Sequence, residues 1–191
     1  MTEKIFYPVA EPDLTKHERE MLLDAFDSGW ISSIGKYINL FENNFAKFCG
    51  TKHAVAVSNG TCALHLALLS LGVGEGDEVI IPSLTFVATA AAVVYCGASP
   101  VFVDSEPLYG TICPSSVKRA ITKYTKVIIA VHLYGHPAEM DSLSKIAKQN
   151  SIHIIEDAAE AHGAKYKNTL VGGIGKVGIF SFYGNKIITT G

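Results

Sequence analysis

A fully apolar pentapeptide lies at the centre of the pattern that decides the fold: Val127-Ile128-Ile129-Ala130-Val131. A strand with one face in water alternates apolar and polar residues, whereas a strand covered on both faces is apolar throughout. Continuous apolar strands are typical of parallel sheets that carry helices on both faces. The pentapeptide, part of a candidate strand over Lys126–Val131, therefore predicts the interior of a parallel sheet.

Strand-like and helix-like patterns alternate on both sides of this pentapeptide. The other short β-branched runs are Ala54–Ser58, Glu78–Ile81, Pro100–Val103, His153–Glu156 and Val177–Phe182. Helical periodicity covers residues 15–27, 39–49, 61–71, 84–96, 114–122 and 139–149. Because alternating strands and helices imply crossover connections, we predict an α/β fold: a three-layer α/β/α sandwich with a mostly parallel sheet.

The composition excludes several classes of protein. The 191 residues are 48% hydrophobic and carry 16 basic and 18 acidic side chains, a net charge of −2 that gives no reason to expect nucleic acid or an anionic membrane as a partner. The N-terminus has no signal-peptide core, and the apolar run over 84–98 is too short to span a bilayer. Four scattered cysteines without a CxxC pair favour a reducing, cytoplasmic location.

Three motifs each follow a separate predicted strand, at the edge where parallel sheets bind ligands. The first is Ser58-Asn59-Gly60-Thr61, which leads into an apolar helix. The N-terminus of a helix offers free N–H groups and a positive dipole end to a phosphate, and glycine lets the phosphate approach the backbone. An ordinary Asn-Gly turn with a helix cap is the alternative interpretation.

The second motif is the acidic pair Glu156-Asp157, which follows the strand residues His153-Ile154-Ile155. A buried carboxylate needs a positive partner, and a protonated pyridine nitrogen is one such partner. A helix cap at Asp157 is the alternative.

The third motif is Phe180-Ser181-Phe182-Tyr183-Gly184-Asn185-Lys186, where a turn follows a strand and ends on a lysine. A lysine in a desolvated or cationic site can form an imine, although a lone lysine is more often solvated.

Together these stretches resemble the sugar-nucleotide aminotransferases of the DegT/DnrJ/StrS type, which are fold-type I pyridoxal 5'-phosphate (PLP) enzymes of the aspartate aminotransferase superfamily. The resemblance covers nearly the whole chain and also includes Pro82–Thr89 and His132–Pro137. It implies that Lys186 is the catalytic Schiff-base lysine and that Asp157 pairs with the pyridine nitrogen. Gly60, Thr61 and Ser181 are then expected at the phosphate, and Phe86 is expected to stack on the cofactor.

The resemblance also implies a substrate and partners. Trp30, Ser32 and Ser33 align with a stretch that lies near the sugar in this family. Glu160 stands where many relatives carry glutamine, close to the cofactor's phenolic oxygen, so either the carboxyl or the phenol should hold a proton. Glu160 and the run 132–137 lean toward perosamine-synthase-like members, which transfer an amino group, from glutamate in most relatives, to C4 of a nucleotide-linked 4-keto-6-deoxy sugar. A homodimer with the active site at the subunit interface is expected.

Two other functions remain open at this point. A sugar dehydratase is one, although dehydratase relatives replace the lysine by histidine, and a non-catalytic regulatory or binding protein on the same fold is the other. No metal site is expected, because His132 and His136 straddle a strand end and a turn.

The expected organisation is an N-terminal helical segment over residues 1–30 and an incomplete PLP-binding large domain over residues 31–191. The resemblance places a smaller C-terminal domain outside this chain, so we expect residues 1–191 alone to be poorly soluble or inactive.

Overall fold

The computed structural model describes residues 6–8 and 11–191. The predicted N-terminal segment over residues 1–30, including the start of the chain that has no signal-peptide core, therefore lies partly outside the described residues. The helices are α1 (Lys16–Asp27), α2 (Lys36–Cys49), α3 (Gly60–Ser70), α4 (Val87–Tyr95), α5 (Pro114–Ala120) and α6 (Met140–Asn150). The strands are β1 (Glu78–Pro82), β2 (Ser99–Val103), β3 (Thr125–Val131), β4 (His153–Asp157), β5 (Lys165–Tyr166), β6 (Thr169–Leu170) and β7 (Val177–Ile179).

Five of the strands form one sheet in the order β2-β1-β3-β4-β7, and every neighbouring pair is parallel. Strand β3, which contains the apolar pentapeptide, lies in the centre of this sheet. The predicted parallel sheet is therefore confirmed, and all five strands point their carboxyl ends to the same edge. The short strands β5 and β6 form a separate antiparallel hairpin that the sequence patterns did not predict.

The two faces of β3 pack against different helices. Val127, Ile129 and Val131 belong to a core cluster with residues of α3 and α4. Ile128 and Ala130, which alternate with them, belong to a second cluster with residues of α5 and α6. Because successive strand residues point to opposite faces, this division shows helices on both sides of the sheet and confirms the three-layer architecture.

Two of the predicted strands differ from the observed structure. The predicted strand Ala54–Ser58 is wrong as a strand, since no strand pairs with it in the described part of the chain. This segment and most residues of 172–183 line a cleft of about 740 Å³. The cleft lies where a partner strand would have to pair with the segment's backbone. The prediction of a strand over Val177–Phe182 was also too long, because β7 ends at Ile179.

Helix α1 buries no side chain against the described part of the chain, although its start is well defined by a capping box between Thr15 and Glu18. The boundary proposed at residue 30 stays a prediction. Among the described residues, no helix combines the length and the apolarity that crossing a membrane would need.

A buried carboxylate holds β3, β4 and the loop before β7 together. Glu156 has no exposed surface, and its side chain accepts hydrogen bonds from the N–H groups of Gly172 (2.8 Å), Ile174 (2.7 Å) and Gly175 (2.6 Å). His132, at the end of β3, contacts the same carboxylate through Nε2 at 3.0 Å. Burial raises the pKa of Glu156, but these hydrogen bonds outweigh it and hold the pKa below its ordinary value.

The same contacts fix the tautomer of His132. The N–H of Ala138 donates to His132 Nδ1 at 3.0 Å, so Nδ1 is an acceptor and Nε2 carries the proton that is donated to Glu156. Gly175 lets its loop come this close, since a Cβ at that position would lie 2.8 Å from the carbonyl oxygen of Ile154.

We predict that Glu156→Gln lowers the free energy of unfolding by roughly 3 kcal/mol or more. Each carboxylate oxygen accepts from two N–H groups, so the NH₂ of glutamine faces two donors in either orientation. Urea denaturation measures the change, with Glu75→Gln, an exposed glutamate before β1, as the control. Equal stability of the two variants would contradict the argument.

Candidate active site

Lys186 lies beside Glu160 at the carboxyl edge of the sheet. Its Nζ donates to Glu160 Oε1 at 3.2 Å, and the lysine side chain is only 18% exposed. The second oxygen of Glu160 accepts from the N–H of Tyr134 at 3.0 Å. Glu160 therefore joins the lysine to the turn that follows β3, and the solvated-lysine alternative does not describe Lys186.

Tyr134 reaches this position because the chain turns sharply after β3. Its φ of 50° is in the left-handed region, inside a single 3₁₀ turn over Leu133–Gly135. A non-glycine residue seldom adopts such a φ, so the surrounding contacts must stabilise it. One result of this turn is that the N–H of Tyr134 points to Glu160.

Asp157 is the last residue of β4 and is buried. Its Oδ1 accepts from the N–H of Ala159 at 3.2 Å, and its Oδ2 accepts from the hydroxyl of Thr89 at 3.1 Å. Burial raises the pKa of Asp157, while both hydrogen bonds lower it. A cation placed against this carboxylate would offset the cost of keeping its charge buried.

Gly60 and Ser181 face each other across a narrow gap. A Cβ on residue 60 would lie 3.0 Å from the Cβ of Ser181 and 3.4 Å from its Oγ. Asn59 caps α3 by accepting from the N–H of Cys62 at 2.9 Å, and the earlier N–H groups of a helix, here those of Gly60 and Thr61, have no intrahelical acceptor. The helix end and the Ser181 hydroxyl are groups that could hold an anion, and this candidate site is called the anion cradle below.

Phe86 precedes α4 as its N-cap residue, and its side chain is 72% exposed. The predicted helix over 84–96 was therefore too long at its start, and the alternative of a core phenylalanine does not describe Phe86. The ring is free to contact a ligand.

The structure does not bring Trp30, Ser32 and Ser33 to this cluster through any contact of the described residues. They lie exposed between α1 and α2. The hydroxyl of Ser32 bonds only to the backbone of Ile34, and the Trp30 side chain lies beside Gly35. Their assignment to the substrate stays a prediction.

Three features of this edge were not predicted from the sequence. Thr89 donates to Asp157, and the threonines that interrupt the apolar run over 84–98 were its only signal. The contact of the Tyr134 N–H had no signal, because it depends on a backbone turn. His162 is buried between Phe180 and Phe182, with ring centroids 5.3 and 5.1 Å away. Burial and the nearby charge of Lys186 lower the pKa of His162.

The cluster combines a lysine, two carboxylates, an anion cradle and an exposed aromatic ring at one edge of a sheet. No group of three or more His, Cys, Asp or Glu side chains in the described ranges could hold a metal ion. Such a set suits covalent attachment of a carbonyl compound that carries both an anionic group and a basic ring nitrogen.

Comparisons with known proteins show which proteins this chain is similar to. The chain is 50% identical over 186 residues to the GDP-perosamine synthase of Escherichia coli O157:H7, a match that covers 97% of this chain and 51% of the relative. The fold matches an aminotransferase from Psychrobacter cryohalolentis with a TM-score of 0.92 at 41% identity, over 94% of this chain and 46% of the other.

A sugar aminotransferase from Streptococcus pneumoniae, solved in a PLP form, matches with a TM-score of 0.92 at 32% identity, over 96% of this chain and 50% of the other. The chain thus spans about half the length of the relatives that it matches. The sequence profile of one family matches residues 12–191, and the lysine, carboxylates and anion cradle described above lie within that range. The chain belongs to the DegT/DnrJ/EryC1/StrS aminotransferase family.

Proposed function

We propose that this chain carries the PLP site of an aminotransferase that transfers an amino group from glutamate to a nucleotide-linked 4-keto-6-deoxy sugar. The observation that carries the proposal is the position of Lys186, held by Glu160 at the sheet edge where Asp157 and the Gly60–Ser181 cradle also lie. A lysine is the residue that the family's transamination chemistry requires, whereas the dehydratase relatives have histidine there.

The residues of the edge fit PLP group by group. The cradle of Gly60, Thr61 and Ser181 would hold the phosphate, because it combines free helix N–H groups with a hydroxyl. The buried carboxylate of Asp157 would pair with the protonated ring nitrogen. Phe86, with its exposed ring, would stack on the pyridine.

The protein's own groups would act mainly by holding charge and moving a proton. PLP, when bound, supplies an electron sink for the carbon next to the reacting nitrogen. Asp157 supplies a fixed negative charge from a buried position. Lys186 is the side chain that moves a proton at Nζ, and Glu160 orients that Nζ through its Oε1.

The substrate and partners are inferred from the relatives. The name of the Escherichia coli relative, GDP-perosamine synthase, favours a GDP-linked sugar, and the resemblance to perosamine-synthase-like members implies amination at C4. We extend the proposal to a homodimer whose active site lies at the subunit interface, with Trp30, Ser32 and Ser33 near the sugar. Four cysteines without a disulfide among the described residues favour a cytoplasmic location.

Lys186→Ala should abolish the visible absorbance that PLP gains on binding to the protein, because the variant has no amine at this position to bond the cofactor. Borohydride treatment followed by peptide mass spectrometry should find the reduced cofactor on Lys186 in the wild type. Lys176→Ala, an exposed lysine just before β7, is the matched control and should retain both signals. Cofactor fixed to a different lysine would contradict the assignment.

A panel of GDP-, dTDP- and UDP-linked 4-keto-6-deoxy sugars, each incubated with glutamate and the PLP-loaded full-length protein that contains this chain, tests the reaction. We expect an amino sugar to form fastest from the GDP-linked compound, as measured by mass spectrometry of the nucleotide sugars. A product that has lost water without gaining nitrogen would indicate a dehydratase. Cofactor binding without turnover of any sugar would favour a regulatory protein.

Glu160→Gln should shift the pH dependence of the bound cofactor's absorbance to lower pH, by roughly one unit. A negative charge favours retention of a nearby proton, so its removal lets that proton leave at lower pH. Glutamine keeps an acceptor for Lys186 but lacks the charge. Spectrophotometric titration measures the midpoint, with Glu75→Gln as the control. An unchanged titration curve would disprove the charge effect of Glu160.

A further inference from the structure

Two threonine hydroxyls, one just before α4 and one in its first turn, form a short hydrogen-bonded chain that ends on Asp157. The Oγ1 atoms of Thr85 and Thr89 are 2.9 Å apart, and Thr89 Oγ1 lies 3.1 Å from Asp157 Oδ2. Thr89 has no exposed surface, and Thr85 is partly buried. The two residues are four apart in sequence and 68 or more from Asp157, so only the tertiary fold brings them to this carboxylate.

The direction of the hydrogen bonds follows from counting protons. A threonine hydroxyl has one proton and two acceptor sites. Because Thr89 donates its proton to Asp157, it must accept in its contact with Thr85. Thr85 therefore donates to Thr89, and the chain runs from Thr85 through Thr89 to the carboxylate.

The pair of threonine hydroxyls stabilises the ionised form of Asp157. A donor that points to a carboxylate favours the charged state, and a donor that itself accepts a hydrogen bond is polarised and donates more strongly. Burial acts in the opposite direction, as it raises the pKa of Asp157. The N–H of Ala159 serves Oδ1 and Thr89 serves Oδ2, which leaves each oxygen able to accept one more bond.

We propose that Thr85 and Thr89 are positioning residues whose hydroxyls keep Asp157 ionised, so that a proton shared with a bound pyridine ring resides on the ring nitrogen. The proposal rests on the role of Asp157 in the proposed function. It adds that the location of the proton is decided by two side chains, Thr85 just before α4 and Thr89 within it, that need not touch the cofactor. Phe86, the N-cap residue of α4, lies between them in the sequence.

The test is ¹⁵N NMR of the full-length protein that contains this chain, loaded with PLP that is labelled at the ring nitrogen. We expect a protonated-pyridine resonance in the wild type. Thr89→Val keeps the side-chain shape but removes the hydroxyl, and should move the resonance toward the unprotonated position. Thr85→Val should move it in the same direction by less, since Thr89 still donates. Thr89→Ser keeps the hydroxyl but loses the methyl group, so it should leave the resonance at its wild-type chemical shift. A role of Thr89 in packing alone does not predict this result.

The control is Thr125→Val, which removes a hydroxyl at the start of β3, at the opposite edge of the sheet. Thermal unfolding checks that each variant folds. If Thr89→Val does not fold, the partly buried Thr85→Val still provides the test. If the wild type gives the protonated-pyridine resonance and neither valine variant shifts it, the proposed role of the two hydroxyls is overturned. The role of Asp157 would then still stand. A wild-type resonance at the unprotonated position overturns both.

Discussion

The carboxylate of Glu156 is the contact on which the functional edge depends. It is fully buried and accepts from three backbone N–H groups and from His132, so it ties the ends of β3 and β4 to the loop before β7. The hydrogen bonds to both oxygens offset the cost of burying this carboxylate, and the amides would lose their acceptor without it. The next residue along the chain is Asp157, so the structural carboxylate and the candidate functional one are neighbours.

These two adjacent acids differ because their side chains point to opposite faces of the sheet. The hydrogen bonds to Glu156 outweigh its burial and lower its pKa, whereas burial dominates at Asp157 and raises its pKa. An acid whose donors are complete serves the fold. An acid that remains short of positive charge suits a cationic ligand, and Lys186 and Glu160 supply the remaining charges of the edge.

Parallel strands explain why so few residues suffice to form the edge. All five strands end on the same side, so the segments that follow β3, β4 and β7 start beside one another. Helix α3 brings its free N–H groups to Ser181, and α4 brings Thr89 to Asp157. The edge thus combines segments that lie up to about two thirds of the chain apart, from Gly60 to Lys186, and the sheet fixes their spacing.

The sequence by itself determined the class of fold, because the apolar run 127–131 and the alternation of strands and helices are local patterns. It also indicated Lys186, Asp157 and Gly60, through three motifs that together resemble one enzyme family. It could not show that Thr89 donates to Asp157 or that the N–H of Tyr134 donates to Glu160. It also could not show that Glu156 stabilises the fold while Asp157 is left to meet a ligand. Nor could it show that residues 54–58 have no partner strand in the described chain. Those features depend on contacts between residues far apart in the sequence, and only the packed tertiary structure decides which donors a buried carboxylate meets.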